Sequence, residues 1–110
     1  MGFACAVAAE HEEPAFGLGG VFVEAMRDVV FRIAPVSRDD SLDMMASIRG
    51  EKLLDGMRGA PAVNRSSVAS VICRVGQLAV ENSDTLELDI NPLLGRAHDA
   101  IALDARVRVR

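Results

Sequence analysis

Apolar and polar residues alternate most cleanly late in the chain, where Leu86, Leu88, Ile90 and Pro92 are interleaved with Glu87, Asp89 and Asn91. After the polar break Arg96-Ala97-His98-Asp99 the alternation returns. Ile101, Leu103, Ala105, Val107 and Val109 lie on one side, and Asp104, Arg106 and Arg108 on the other. A period of two predicts strands with one apolar face. Antiparallel pairing with Asn91 opposite Asp104 sets Asp89 against Arg106 and Glu87 against Arg108. On the other face Leu88 then meets Val107 and Ile90 meets Ala105. A slip of one residue would mix the faces, so this register is well specified.

Upstream the period changes to that of a helix. Ser37 with Asp40 three residues later is a capping-box-like pair, and Leu42, Met45 and Ile48 recur at helical spacing until Gly50. Glu51 to Gly56 predicts a short second helix before the turn Arg58-Gly59-Ala60-Pro61. Asn64 caps a longer helix over roughly residues 65–80, with the stripe Val68, Val71, Ile72, Val75, Leu78 and Ala79. Before these helices, Val21–Ala25 and Val29–Ala34 read as a hairpin broken at Arg27-Asp28. It is apolar on both faces and therefore expects cover on both, or self-association where cover is missing. Residues 1–15 read as an irregular segment, charged and Pro-broken at His11-Glu12-Glu13-Pro14. The resulting expectation is an α+β domain over residues 16–110, with antiparallel hairpins packed on two to three helices.

Composition narrows the function. A net charge of −4, four Phe and neither Trp nor Tyr argue against nucleic-acid binding, which favours a basic face and stacking aromatics. No apolar run approaches the ~20 residues that cross a bilayer. The start of the chain lacks the positive charge of a signal peptide. Cys5 and Cys73 are too few for a disulfide framework, which suits a reducing cytoplasm.

Chemistry is concentrated on the polar side of the last two strands. Glu87 with Arg108 and Asp89 with Arg106 are ordinary cross-strand charge pairs, worth roughly 0.2–1 kcal/mol each when exposed. Asn91 opposite Asp104 differs, because no cation of this strand pair offsets the carboxylate. A carboxylate beside an amide oxygen suits Mg²⁺, a hard ion that takes one or two protein carboxylates and completes its shell with water and phosphate. A solvated pair close to a turn would look the same in sequence.

Several segments, in order, resemble the ATP-grasp domain of ADP-forming acetate–CoA ligases and, more loosely, of succinyl-CoA synthetase beta subunits. They are Gly17-Leu18-Gly19-Gly20-Val21-Phe22-Val23-Glu24, Asp28-Val29-Val30-Phe31-Arg32-Ile33-Ala34-Pro35, Lys52-Leu53-Leu54-Asp55-Gly56 with Arg58-Gly59, Glu87-Leu88-Asp89-Ile90-Asn91-Pro92-Leu93, and Ala102-Leu103-Asp104-Ala105-Arg106. The resemblance implies the second half of an ATP-grasp fold, with ATP and Mg²⁺ as cofactors. It implies Asn91 and Asp104 as metal ligands with Asp89 on the same face, and places Glu24 and Arg32 near the nucleotide. For Glu24 and Arg32 an ion pair or a hairpin contact is the plainer reading. His11 and His98 match no phosphate-carrying histidine of the family. The nucleotide-contacting lysine and phosphate-covering loop of the first half have no counterpart here. A chain inactive alone is therefore expected, a fragment of an acyl-CoA synthetase working beside the missing half, a CoA-binding or ligase subunit, or a second copy. The alternative is a degenerate, non-catalytic half that binds nucleotide or a partner such as an acetyltransferase.

Overall fold

The computed structural model describes residues 1–8, 15–18, 29–32, 34–56 and 59–110. In chain order these form β1 (Gly2–Ala8), β2 (Ala15–Leu18), β3 (Val29–Phe31), α1 (Arg38–Ser47), a 3-10 helix (Glu51–Asp55), α2 (Arg65–Glu81), β4 (Thr85–Gly95), β5 (Ala100–Ala102) and β6 (Ala105–Val109). The strands make one antiparallel sheet in the order β3-β2-β1-β4, with β5 and β6 following each other along the outer edge of β4. The architecture is α+β, as the residue pattern predicts.

One expectation needs correcting. Residues 1–15 are not irregular throughout, because Gly2–Ala8 is an inner strand bonded to β2 on one edge and to β4 on the other. Its buried positions do alternate, Phe3 and Cys5 against the half-buried Gly2, Ala4 and Ala6, but the second set is small rather than polar, so the alternation that marks a strand in sequence is muted. Here alanines, weak strand formers, also dilute the signal. The expected partner of Val29–Ala34, the segment Val21–Ala25, lies outside the described residues. Within them Val29–Phe31 pairs with β2, Phe16 opposite Val30.

The helices follow their predicted caps. The Asp40 N–H donates to Ser37 Oγ at 3.0 Å and the Ser37 N–H donates to Asp40 Oδ2 at 3.3 Å, closing the box at the start of α1. Ser37→Ala should lower stability by about 1 kcal/mol, read as a lower midpoint in urea denaturation. An unchanged midpoint would show that the cap adds nothing. At α2 the Asn64 side chain accepts from the Ser67 N–H at 3.0 Å.

The helices pack on one side of the sheet, α2 against β1 and β4, and enclose Phe3, Met44, Met45, Leu54, Val68, Ile72 and Leu93 without solvent exposure. Gly95 ends β4 inside this core, where a Cβ would stand 2.8 Å from both the Phe3 ring and Val63. Glycine permits that approach. The cover stops short of β6. Val107 and Val109 remain 57% and 58% exposed, although they belong to the apolar side of their strand. Val30 of the first predicted hairpin is half-buried and packs against the core instead, and Val21, Phe22 and Val23 lie outside the described residues.

Candidate functional site

The site is built by β4 and β6. Leu88 pairs with Val107, Asp89 with Arg106, Ile90 with Ala105 and Glu87 with Arg108, which is the register the alternation predicts. Two further backbone bonds carry that register past the end of β6. The Asn91 N–H donates to the Asp104 carbonyl at 3.1 Å, and the Leu103 N–H donates to the Pro92 carbonyl at 3.1 Å. Asn91 and Asp104 are therefore opposite one another, on the side of the sheet away from α2.

A bulge accounts for the shape of β4 at this point. Against β1 the register steps from Phe3–Leu93 to Cys5–Ile90, so β4 carries one extra residue around Asn91-Pro92. Proline has no N–H to give to a ladder, and bulges bend a strand and re-aim its side chains. The inward positions of β4 consequently change parity, from Leu88 to Leu93 and Gly95, while the polar side keeps Glu87, Asp89 and Asn91 in line.

Asp89, Asn91, Asp104, Ala105 and Arg106 line an open cleft of about 180 Å³. Its polar donors are oxygens of two carboxylates and one amide, the set a hard divalent cation takes. Among the described residues no cluster of three or more His, Cys, Asp or Glu could cage a metal by itself. An ion here would draw the rest of its shell from water and phosphate, which is how Mg²⁺ is usually held at nucleotide sites.

The two predicted charge pairs behave differently. Arg108 Nη2 reaches Glu87 Oε2 at 3.4 Å, with both side chains more than half exposed. Asp89 and Arg106 are backbone partners, yet no ion pair joins them among the described residues. Arg106 instead lines the cleft, a placement that the sequence reading, having assigned it to Asp89, did not anticipate. The period of two was the available signal, since it sets Arg106 on the same side as Asp104.

Of the residues expected near the nucleotide, Glu24 lies outside the described residues. Arg32 follows β3, with β2 and β1 between it and β4, and its Nη2 pairs with Asp43 Oδ2 of α1 at 2.6 Å. His11 also lies outside the described residues, and His98 is an exposed turn residue. That turn is held by Arg96, whose Nε donates to Asp99 Oδ1 at 2.5 Å. This hydrogen bond holds the Asp99 carboxyl below its ordinary range and raises Arg96.

On the polar side of its sheet this fold presents a carboxylate–amide pair on a bulged hairpin. The chain belongs to the ATP-grasp domain family, matching it over residues 15–109. It is 46% identical over 92 residues to the beta subunit of ADP-forming acetate–CoA ligase I from Pyrococcus furiosus, covering 84% of this chain and 40% of that protein. It is 40% identical over 88 residues to the ADP-forming 4-hydroxybutyrate–CoA ligase of Nitrosopumilus maritimus, covering 74% of this chain and 13% of that one. The dinucleotide-forming acetyl-coenzyme A synthetase 1 of Ca. Korarchaeum cryptofilum, solved with coenzyme A and Mg-AMPPCP, superposes with a TM-score of 0.92 at 35% identity. That likeness covers 99% of this chain and 53% of the solved one, so β1, upstream of the family match, is part of the shared fold. The chain spans 40% of the length of the Pyrococcus subunit it matches. It resembles the ATP-grasp part of the ADP-forming acyl-CoA synthetases. No helix among the described residues is long and apolar enough to cross a membrane.

Proposed function

We propose that this chain supplies the metal- and phosphate-binding hairpin of an ATP-grasp site serving ADP-forming acid–thiol ligation, and that it acts only beside the rest of such a domain. The observation that carries this reading is the opposition of Asn91 and Asp104 across β4 and β6, beside Asp89 in one cleft. Asp104 would give the anionic ligand, Asn91 a neutral oxygen, and Asp89 a second carboxylate for direct or water-bridged contact. A bound Mg²⁺ neutralises phosphate charge and orients the nucleotide for phosphoryl transfer. The protein's own share is positional. The bulge and the continuous register hold the two ligands at fixed places on a rigid sheet, and such positioning is a large part of phosphoryl-transfer catalysis.

The partner of this reading is the remainder of an ATP-grasp domain, with a CoA-binding or ligase unit beyond it. The bare apolar side of β6, with Leu103 60% exposed as well as Val107 and Val109, supports association, since contiguous exposed apolar surface marks contact sites. The two cysteines, both free thiols, fit a cytoplasmic setting.

Asp104→Asn keeps the shape and removes the charge, and Asn91→Ala removes the neutral oxygen. Each should weaken Mg²⁺-dependent ATP binding by about tenfold, the loss expected for one charge-assisted contact. Calorimetry with the first half of a relative's ATP-grasp domain supplied in trans would measure it. Glu87→Gln, whose side chain pairs with Arg108, should change binding little. Equal behaviour of Asp104→Asn and Glu87→Gln would reduce the hairpin to a charged sheet surface.

A further inference from the structure

We propose that Arg106 is a phosphate-binding residue of this site, taking oxygens of the nucleotide's polyphosphate with its guanidinium while Asp104 and Asn91 take the metal. This rests on the metal reading above and extends it to a residue that reading does not use.

Three observations point to Arg106. It lines the same cleft as Asp89, Asn91 and Asp104, and also the adjoining cleft of about 500 Å³ bordered by Glu87, Val107 and Arg108. Its ladder partner Asp89 does not hold it, whereas the neighbouring Arg108 is held by Glu87 at 3.4 Å. The ladder also fixes its backbone two residues beyond Asp104, on the same side of the strand.

Charge then selects the ligand. Two carboxylates against one guanidinium leave the cleft net negative, and alone it would repel a polyphosphate. A divalent cation at Asp104 reverses the sign and makes polyphosphate binding conditional on metal. A guanidinium presents a planar fork of donors that matches two phosphate oxygens at once, which a point charge cannot do. Withdrawing Arg106 from any contact with Asp89 costs little, because exposed pairs of this kind are weak.

The test uses the whole chain, with Mn²⁺ as the probe ion followed by electron paramagnetic resonance, alone and then with ATP or inorganic tripolyphosphate. Arg106→Gln should bind free Mn²⁺ several-fold more tightly, since a repelling cation beside the carboxylates has gone. The same variant should bind Mn–ATP and Mn–tripolyphosphate about tenfold more weakly, the loss expected for a charge-assisted contact to phosphate. Arg106→Lys should lie between the two, keeping charge without the fork. Opposite shifts for ion and polyphosphate cannot come from a damaged fold, which would weaken both. Parallel weakening, no change, or a loss confined to ATP would each overturn the assignment. If wild-type and Asp104→Asn bind Mn²⁺ equally, the metal reading itself fails and this one falls with it.

Discussion

Replacing Phe3 with alanine should remove a large share of this chain's stability. Phe3 has no exposed surface, pairs with Leu18 on one side and Leu93 on the other, and packs where Gly95 leaves room for its ring. Truncating a buried phenylalanine costs about 3–5 kcal/mol, the sum of lost transfer energy and the cavity left behind. A small domain has little margin over that, because total stability runs at about 5–15 kcal/mol and short chains bury the least surface. Circular dichroism with urea titration would read the loss directly. Leu103→Ala is the control, being 60% exposed, and should shift stability by less than about 0.5 kcal/mol. A wild-type midpoint for Phe3→Ala would mean that β1 stands outside the cooperative unit.

Alkaline pH should destabilise the chain through a single thiol. Cys5 is buried opposite Ile90, and its pKa is pushed from 9.0 up to about 12, chiefly by desolvation and then by the nearby Asp89 charge. The folded chain keeps this proton to higher pH than the unfolded chain does. Its contribution is therefore full below the ordinary thiol value and is lost as pH rises from there toward 12, at about 1.4 kcal/mol per pH unit. Few other groups obscure the effect, since the chain has no tyrosine and Lys52 is its one lysine. Urea midpoints at pH 8, 9.5 and 10.5 should fall steadily for the wild type and stay nearly level for Cys5→Ala. Parallel slopes for the two would place the alkaline transition elsewhere. In the folded state the same thiol should resist iodoacetamide at pH 8, as a buried neutral sulfur is a poor nucleophile.

The last hairpin was legible because each of its strands has one dry side and one wet side. Leu88 and Val107 versus Asp89 and Arg106 leave only one register, and the backbone adopts it. The helix starts were legible for an equally local reason, since Ser37 and Asn64 each accept a backbone N–H of the turn they begin. β1 was not, because the face it turns away from α2 carries small residues where a polar set would have marked the strand. Its small residues Ala4 and Ala6 also leave little to distinguish it from a loose segment. Arg106 was misread for another reason. Register fixes which residues face each other, but not whether two exposed side chains close into a pair, and that small energy is decided by their surroundings. Arg32 was placed by resemblance alone, and Asp43 of α1 is the partner that local sequence could not reveal.

The pairing of β1 with β4 also sets a schedule for folding. Val7 lies opposite Leu88 and Gly2 opposite Leu94, so the middle of the sheet joins segments separated by most of the chain. Such contacts must close a long loop before they return any energy, which slows folding relative to helical proteins of similar stability. On a ribosome, β1 would emerge well before β4 and keep one row of backbone donors and acceptors unmatched until Thr85–Gly95 appears. During that interval it is an adhesive edge of small and apolar residues, the kind that invites pairing with another nascent chain. Yield on expression should therefore depend on chain concentration and on chaperones that shield such edges, more than on the stability of the finished sheet.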